Sequence, residues 1–159
     1  MSGNKHGTPL SVCTGLERMH WTSRMTLKLL PFTNLTYVGI RDIDDFEGQV
    51  IKDQKIRVLS PERCVEFIKC TDRPFHISFD VDALDPSLVS STGTRVPDGL
   101  FPSEVESIFE QALSEDKLVS LDIVEFNELL GDPVESIKHV RKVFEKAILK
   151  DKSKKRAAD

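Results

Sequence analysis

The apolar residues of this chain fall into four short runs that are separated by stretches with helical spacing. The runs are Leu35–Ile40, Ile56–Leu59, Phe75–Val81 and Leu118–Glu125, and their β-branched and aromatic residues are typical of strands. Strands that alternate with helices indicate βαβ units, right-handed crossovers and a mainly parallel sheet with helices on its faces. The sequence therefore predicts an α/β fold.

Three helices are predicted from apolar spacing and start signals. Ser60 and Pro61 start the first, and Ser103 to Glu115 forms the second, with Ser103 and Glu106 as a capping box. The third begins at Asp132, with Pro133 in the first helical position. Its predicted buried face comprises Ile137, Val140, Phe144, Ala147 and Ile148.

Composition narrows the class of protein further. A chain of 159 residues with 39% hydrophobic and 30% charged residues fits one domain, and a net charge of -4 argues against a nucleic-acid binder. No apolar run approaches the length of a membrane span, and the first residues lack the apolar core of a signal peptide. Three cysteines without a C-x-x-C pair fit a reducing compartment. We therefore expect a cytoplasmic protein that acts on a small molecule.

Two aspartates mark the exit of the third strand. Asp80 and Asp82 are two residues apart, so the strand period places both on one face. Adjacent carboxylates repel each other unless a cation neutralises them, and oxygen ligands suit a hard or borderline ion such as manganese. The alternative is that Asp82 or Asp85 merely caps the following loop, and the segment alone leaves both interpretations open.

The surrounding segment, HISFDVDALDPSLVSSTGT, resembles the signature of the arginase, agmatinase and formiminoglutamase superfamily. Three other segments match arginases in the same order along the chain: SGNKHG (2–7), VGIRDIDDFE (38–47) and SLDIVEFN (120–127). The resemblance implies that residues 1–150 are the carboxy-terminal part of a three-layer α/β/α domain, with the first half of its sheet missing. Residues 151–159 are then a charged tail, for which we expect a solvated, frayed terminus or, less simply, a nuclear or anionic-surface signal.

The resemblance also implies a reaction. Arginases hydrolyse L-arginine to L-ornithine and urea at two manganese ions that share a hydroxide. By this resemblance Asp80 and Asp82 are metal ligands, Glu125 pairs with the guanidinium of the substrate, and His6 moves a proton at the mouth of the site. Taken alone, Glu125 could instead cap the next element, and His6 could be a plain loop residue.

The same resemblance implies a set of substrate-binding residues. Ser2 and Asn4 match those that hold the α-carboxylate, and Asp44 matches the one that receives the α-amino group. Glu47 would assist Asp44 through water, although an exposed helix position is the favoured explanation. Thr94 matches a hydroxyl near the guanidinium. Asp122, by its strand position, is predicted to support the site.

Several features depart from the family pattern. Arg95 and Asp98 stand where the family usually has Pro and Gly, and a Gly position can require a positive φ. The upstream GGDH and DxHxD segments, which supply the other metal ligands, do not occur in the sequence. We therefore expect a fragment, a shortened gene product or a protein that has lost catalysis.

Two alternatives to arginase activity stay open. One is another ureohydrolase, acting on agmatine or a formimino substrate, and the other is a non-catalytic module that binds or stabilises a partner. The resemblance also implies a homotrimer.

Overall fold

A computed structural model describes residues 8–17, 20 and 28–158, with side chains to residue 145. The helices and strands are α1 (Pro9–Thr14), β1 (Thr36–Val38), α2 (Asp45–Asp53), β2 (Arg57–Leu59), α3 (Pro61–Cys70), β3 (Phe75–Asp80), α4 (Pro102–Ser114), β4 (Leu118–Val124) and α5 (Pro133–Ala158). The four predicted strands and three predicted helices are confirmed. Within the described residues, no helix is long and apolar enough to cross a membrane.

The chain divides into two units, of which the first comprises Met1–Tyr37 and Asp44–Arg57. Its longer helix, α2, begins with a capping box. The backbone N–H of Glu47 donates to Asp44 Oδ1 at 2.8 Å, and the N–H of Asp44 donates to Glu47 Oε2 at 3.0 Å. Side chains within the RDIDDFE segment therefore cap the start of this helix.

The second unit comprises Val38–Ile43 and Val58–Asp159, and its centre is the parallel pair of strands β3 and β4. Their register runs from Phe75 opposite Leu118 to Asp80 opposite Val124, with an irregularity at Phe75 and His76. Parallel strands bring their carboxyl ends to one edge of the sheet. The exit of β3, with Asp80, and the exit of β4, before Glu125, consequently lie side by side.

The core of the second unit holds this edge in place. Phe79 on β3, Phe109 on α4 and Phe144 on α5 form an aromatic cluster with ring centroids 4.5 to 5.9 Å apart. Phe109 is almost completely buried, and Val81 directly after β3 is fully buried in the same cluster of residues. The strand that ends at the candidate site is thus anchored by residues on both sides of Asp80.

The start of α4 differs from the predicted start. The helix begins at Pro102, and the N–H of Phe101 donates to Glu104 Oε2 at 2.7 Å. The predicted capping box of Ser103 and Glu106 is wrong, because Glu106 is buried on the core side of the helix. Pro102 explains the shift, since proline is favoured in the first helical turn and has no N–H to satisfy.

The start of α5 is confirmed, but its buried face is rotated. The N–H of Glu135 donates to Asp132 Oδ1 at 3.0 Å, and Pro133 is the first helical residue. Ile137, predicted as buried, is 48% exposed, whereas Ser136 is fully buried.

The buried hydroxyl of Ser136 accepts the N–H groups of Ser90 and Ser91 at 3.0 and 3.1 Å, so a polar residue occupies the inner face. The helix then continues to Ala158, so the backbone of the predicted charged tail is helical up to that residue.

Candidate active site

The two predicted metal ligands are brought together by a turn and not by strand pairing. Strand β3 ends at Asp80, and residues Val81–Ala83 form a single 3-10 turn. Asp80 Oδ1 accepts the N–H of Asp82 at 2.8 Å. The predicted period-two placement is therefore wrong for Asp82, because the backbone leaves the extended conformation immediately after Asp80. Asp80 serves as the cap of the turn that carries Asp82.

Three carboxylates influence one another at this edge. Burial raises the pKa of Asp82 to about 6, and the charges of Asp80 and Glu125 add to the effect, while Thr94 and Arg41 oppose it. Burial also raises the pKa of Asp80, against the hydrogen bond from Asp82, with a further contribution from Glu125. Each negative charge makes the next one less favourable. The site therefore concentrates negative charge on two half-buried aspartates and an exposed glutamate.

Glu125 lies at the exit of β4 in a strained backbone conformation. Its φ is 65°, in the left-handed region that glutamate rarely adopts. The turn that follows is closed by Asn127, whose Oδ1 accepts the N–H of Leu129 at 3.0 Å and whose own N–H donates to Ser91. Asn127 thus performs the capping role that was the alternative interpretation of Glu125. Strain of this kind is characteristic of functional positions.

Asp85 belongs to the scaffold of the site. Its Oδ1 accepts the N–H and the hydroxyl of Ser87, its Oδ2 accepts the N–H of Gly99 at 3.0 Å, and these bonds lower its pKa. A Cβ on Gly99 would lie 2.4 Å from the backbone nitrogen of Asp85. The loop after Thr94 therefore returns in close contact with the loop after β3. Of the two aspartates proposed as loop caps, Asp85 is the one that caps.

The departure at Asp98 has the predicted consequence. Its φ is 61°, the conformation expected where related sequences have Gly. Thr94, at the start of the same loop, is exposed and acts on the Asp82 carboxyl. Asp98 thus adopts a positive φ that is less costly for Asp than for most residues other than Gly.

A divalent cation fits Asp80 and Asp82 as part of its ligand set. Asp82 Oδ1 is buried and has no hydrogen-bond partner, which is unfavourable for a carboxylate unless a cation or donor reaches it. The part of the chain that the structure describes contains no cluster of three or more His, Cys, Asp or Glu side chains arranged to hold a metal ion. The described residues therefore do not complete a metal site, and Asp80 and Asp82 would supply only part of one.

Asp44 and Glu47 cap α2 in the first unit. The remaining predicted residues, Ser2, Asn4 and His6, lie outside the described residues.

Asp122 does not lie among buried residues, as its predicted supporting role assumed. Its side chain is 64% exposed and pairs with His76 Nε2 at 3.5 Å on the polar face of the sheet. This face is where strand alternation places Asp122, away from the aromatic core.

The role of Arg41 was not predicted from the sequence. Its guanidinium donates to the backbone carbonyls of Ala83, after β3, and of Val96, in the loop after Thr94. Its position after β1 was visible in the sequence. Contacts with carbonyl groups more than 40 residues away leave no pattern in side-chain types.

Comparison with known proteins shows to which family this chain is related. The family model described as the Arginase family matches residues 1–148. The chain belongs to the arginase family. An arginase of Schizosaccharomyces pombe is 35% identical over 153 residues, covering 85% of this chain and 46% of the relative. An arginase of Glaciozyma antarctica is 38% identical over 148 residues, covering 82% of this chain and 43% of the relative.

Solved structures of the arginase family have the same fold. The crystal structure of Entamoeba histolytica arginase in complex with L-ornithine superposes with a TM-score of 0.79 at 32% identity, covering 92% of this chain and 53% of that one. The chain therefore spans about half the length of the arginases that it matches. The three-layer arginase-like fold expected from the sequence is confirmed for this part.

Proposed function

We propose that this chain contributes the carboxy-terminal part of an arginase active site, which hydrolyses L-arginine to L-ornithine and urea. The observation that carries the proposal is the group of three carboxylates at one sheet edge, with a buried Asp82 oxygen that lacks a partner. The matching arginases, one of them solved with L-ornithine, support a guanidino amino acid as substrate.

Asp80 and Asp82 would hold manganese together with ligands from the GGDH and DxHxD segments of the family. When bound, two manganese ions would lower the pKa of a water molecule so that hydroxide is available near neutral pH. The chain would act in the cytoplasm as part of a trimer.

The carboxylate of Glu125 would bind the guanidinium group of arginine. A guanidinium is a planar cation with paired N–H donors, and a carboxylate accepts two of them side by side. The strained φ of Glu125 holds the side chain at the strand exit, next to Asp82. Thr94 would add a hydroxyl on the opposite loop, while Ser2, Asn4, Asp44 and Glu47 would recognise the amino-acid end and His6 would transfer a proton.

Urea release tests the proposal. The chain would be assayed alone and joined to the upstream half of the S. pombe arginase, with manganese and with either arginine or agmatine as substrate. We expect negligible turnover by the chain alone and arginine-specific turnover by the joined protein, because agmatine lacks the α-carboxylate.

Glu125→Gln in the joined protein should lower kcat/KM for arginine by about 100-fold or more, since the charge-assisted pair with the guanidinium is lost. Glu128→Gln makes the same charge change in the same exposed loop and should have little effect. Equal losses in the two variants would contradict the role of Glu125. Preference for agmatine would indicate a different ureohydrolase, and folded joined protein without turnover on either substrate would indicate a non-catalytic module.

A further inference from the structure

Arg41 uses its guanidinium in an unusual way. Nη1 donates to the carbonyls of Gly39 and Ala83, both at 3.0 Å, and Nη2 donates to the carbonyls of Asp82 at 2.8 Å and Val96 at 3.0 Å. All four hydrogens of the two terminal nitrogens are thus directed at backbone oxygens. In the described part of the chain, no carboxylate lies within ion-pair distance of Arg41.

These bonds join three separate segments of the second unit: the turn after β1, the 3-10 turn after β3, and the loop that follows Thr94. The carbonyl of Ala83 also accepts the N–H of Leu100 at 2.8 Å. Arg41 therefore adds to a backbone contact that already brings the second and third segments together, and it fastens the loop two residues after Thr94.

The effect on Asp82 is specific. Its N–H is held by Asp80 Oδ1, and its carbonyl is held by Arg41 Nη2. With both flanking peptide groups fixed, the direction in which the Asp82 side chain leaves the backbone is fixed too. Functional side chains need this kind of support, because small displacements of a ligand oxygen weaken metal binding.

We propose that Arg41 is a positioning residue for Asp82 and Thr94, acting through the backbone carbonyls of both loops. The expected effect of Arg41 on metal binding rests on the proposed function, whereas its expected effect on the two loops rests on the structure alone. Lysine cannot replace Arg41, since one ammonium nitrogen cannot span three segments as the planar fork does.

Amide hydrogen exchange, measured by NMR on the complete chain without metal, tests the effect of Arg41 on the two loops. In Arg41→Met, the amides of Asp82, Leu84 and Leu100 should exchange about tenfold faster relative to those of α3, because these local bonds lose their support. Arg57→Met is the matched control: Arg57 donates to Thr36 and Thr33 in the first unit, so the site amides should keep their rates.

Acceleration of all amides by one factor, or no acceleration, would overturn the positioning role. If Arg41→Met fails to fold, Arg41→Lys takes its place, and the same local acceleration is expected.

A manganese titration by calorimetry then separates the two proposals. If the parent chain binds manganese, Arg41→Met should weaken the affinity about tenfold or more, as loss of a supporting residue does. Unchanged affinity would overturn positioning of the ligand while leaving the proposed function intact. Absence of binding by every variant, the parent included, would show that the two aspartates need the remaining ligands, and the exchange rates would then decide the role of Arg41.

Discussion

Replacing Asp82 by Asn should stabilise the metal-free protein above pH 6. The carboxyl has a pKa of about 6 in the folded chain and about 3.8 as a free group, so folding must hold an unfavourable charge at neutral pH. The shift corresponds to about 3 kcal/mol at most, and solvent screening of a partly exposed group reduces this to about 1–2 kcal/mol. Asn has the same shape without the charge.

The sign of the pH dependence follows from the raised pKa. Between pH 4 and pH 6 the folded state binds more protons than the unfolded state, so the parent chain loses stability as pH rises through this window. The variant lacks this loss. The two proteins should therefore have equal stability near pH 4 and differ fully at pH 8.

Urea denaturation followed by circular dichroism in EDTA measures the difference at each pH. Asp85→Asn is the control, because its pKa is lowered by Ser87 and Gly99. That variant should be less stable than the parent at pH 8, with the difference shrinking as pH falls below the usual aspartate pKa. A destabilised Asp82→Asn at pH 8, or a difference independent of pH, would refute the electrostatic account.

Manganese should reverse the order of stability. A ligand at 100 times its Kd stabilises the folded state by about 2.7 kcal/mol. If Asp82 is a ligand, the parent chain gains this term and Asp82→Asn gains much less. The same two proteins thus test both the destabilisation caused by the Asp82 charge and the role of Asp82 in binding manganese.

Two further substitutions probe the loop that carries Thr94, both measured as urea midpoints. Gly99→Ala should destabilise by about 1–3 kcal/mol because its Cβ meets the backbone of Leu84 and Asp85, whereas Gly93→Ala, with open space around it, should be near neutral. Equal effects would contradict the close approach. Asp98→Gly should stabilise by about 0.5–1 kcal/mol by relieving its positive φ, and a loss would show that the Asp98 side chain contributes more than the strain costs.

Local signals predicted the elements well but not every contact between them. The strands and the starts of α3 and α5 follow from residue type alone, because apolar spacing and caps act over a few residues. Val140 and Phe144 of α5 lie in the core as predicted, but the burial of Ser136 could not be predicted. Ser136 looks like a surface residue, and its burial depends on two N–H groups 45 residues away or more. Arg41 was missed for the same reason.

The placement of Asp82 shows where periodicity fails. Alternation along β3 correctly predicts the polar face with His76 and the buried face with Phe79, but it stops at Asp80. From there the side chain of Asp80 bonds the backbone of Asp82 and turns the chain. A short polar side chain that accepts a hydrogen bond from the nearby backbone can end a strand. Hydrophobic spacing does not predict this ending.

The three aspartates of the FDVDALDP segment differ in the hydrogen bonds that their side-chain oxygens accept. Asp80 caps a turn, Asp85 closes the loop with three hydrogen bonds, and both act on the chain itself. Asp82 keeps a buried oxygen without a partner, although its backbone is held on both sides. A fixed carboxylate with one buried oxygen that accepts no hydrogen bond lowers the stability of the isolated chain. Under the proposed function, a cation held jointly with further ligands would bind this oxygen, and metal binding would then account for the position of Asp82.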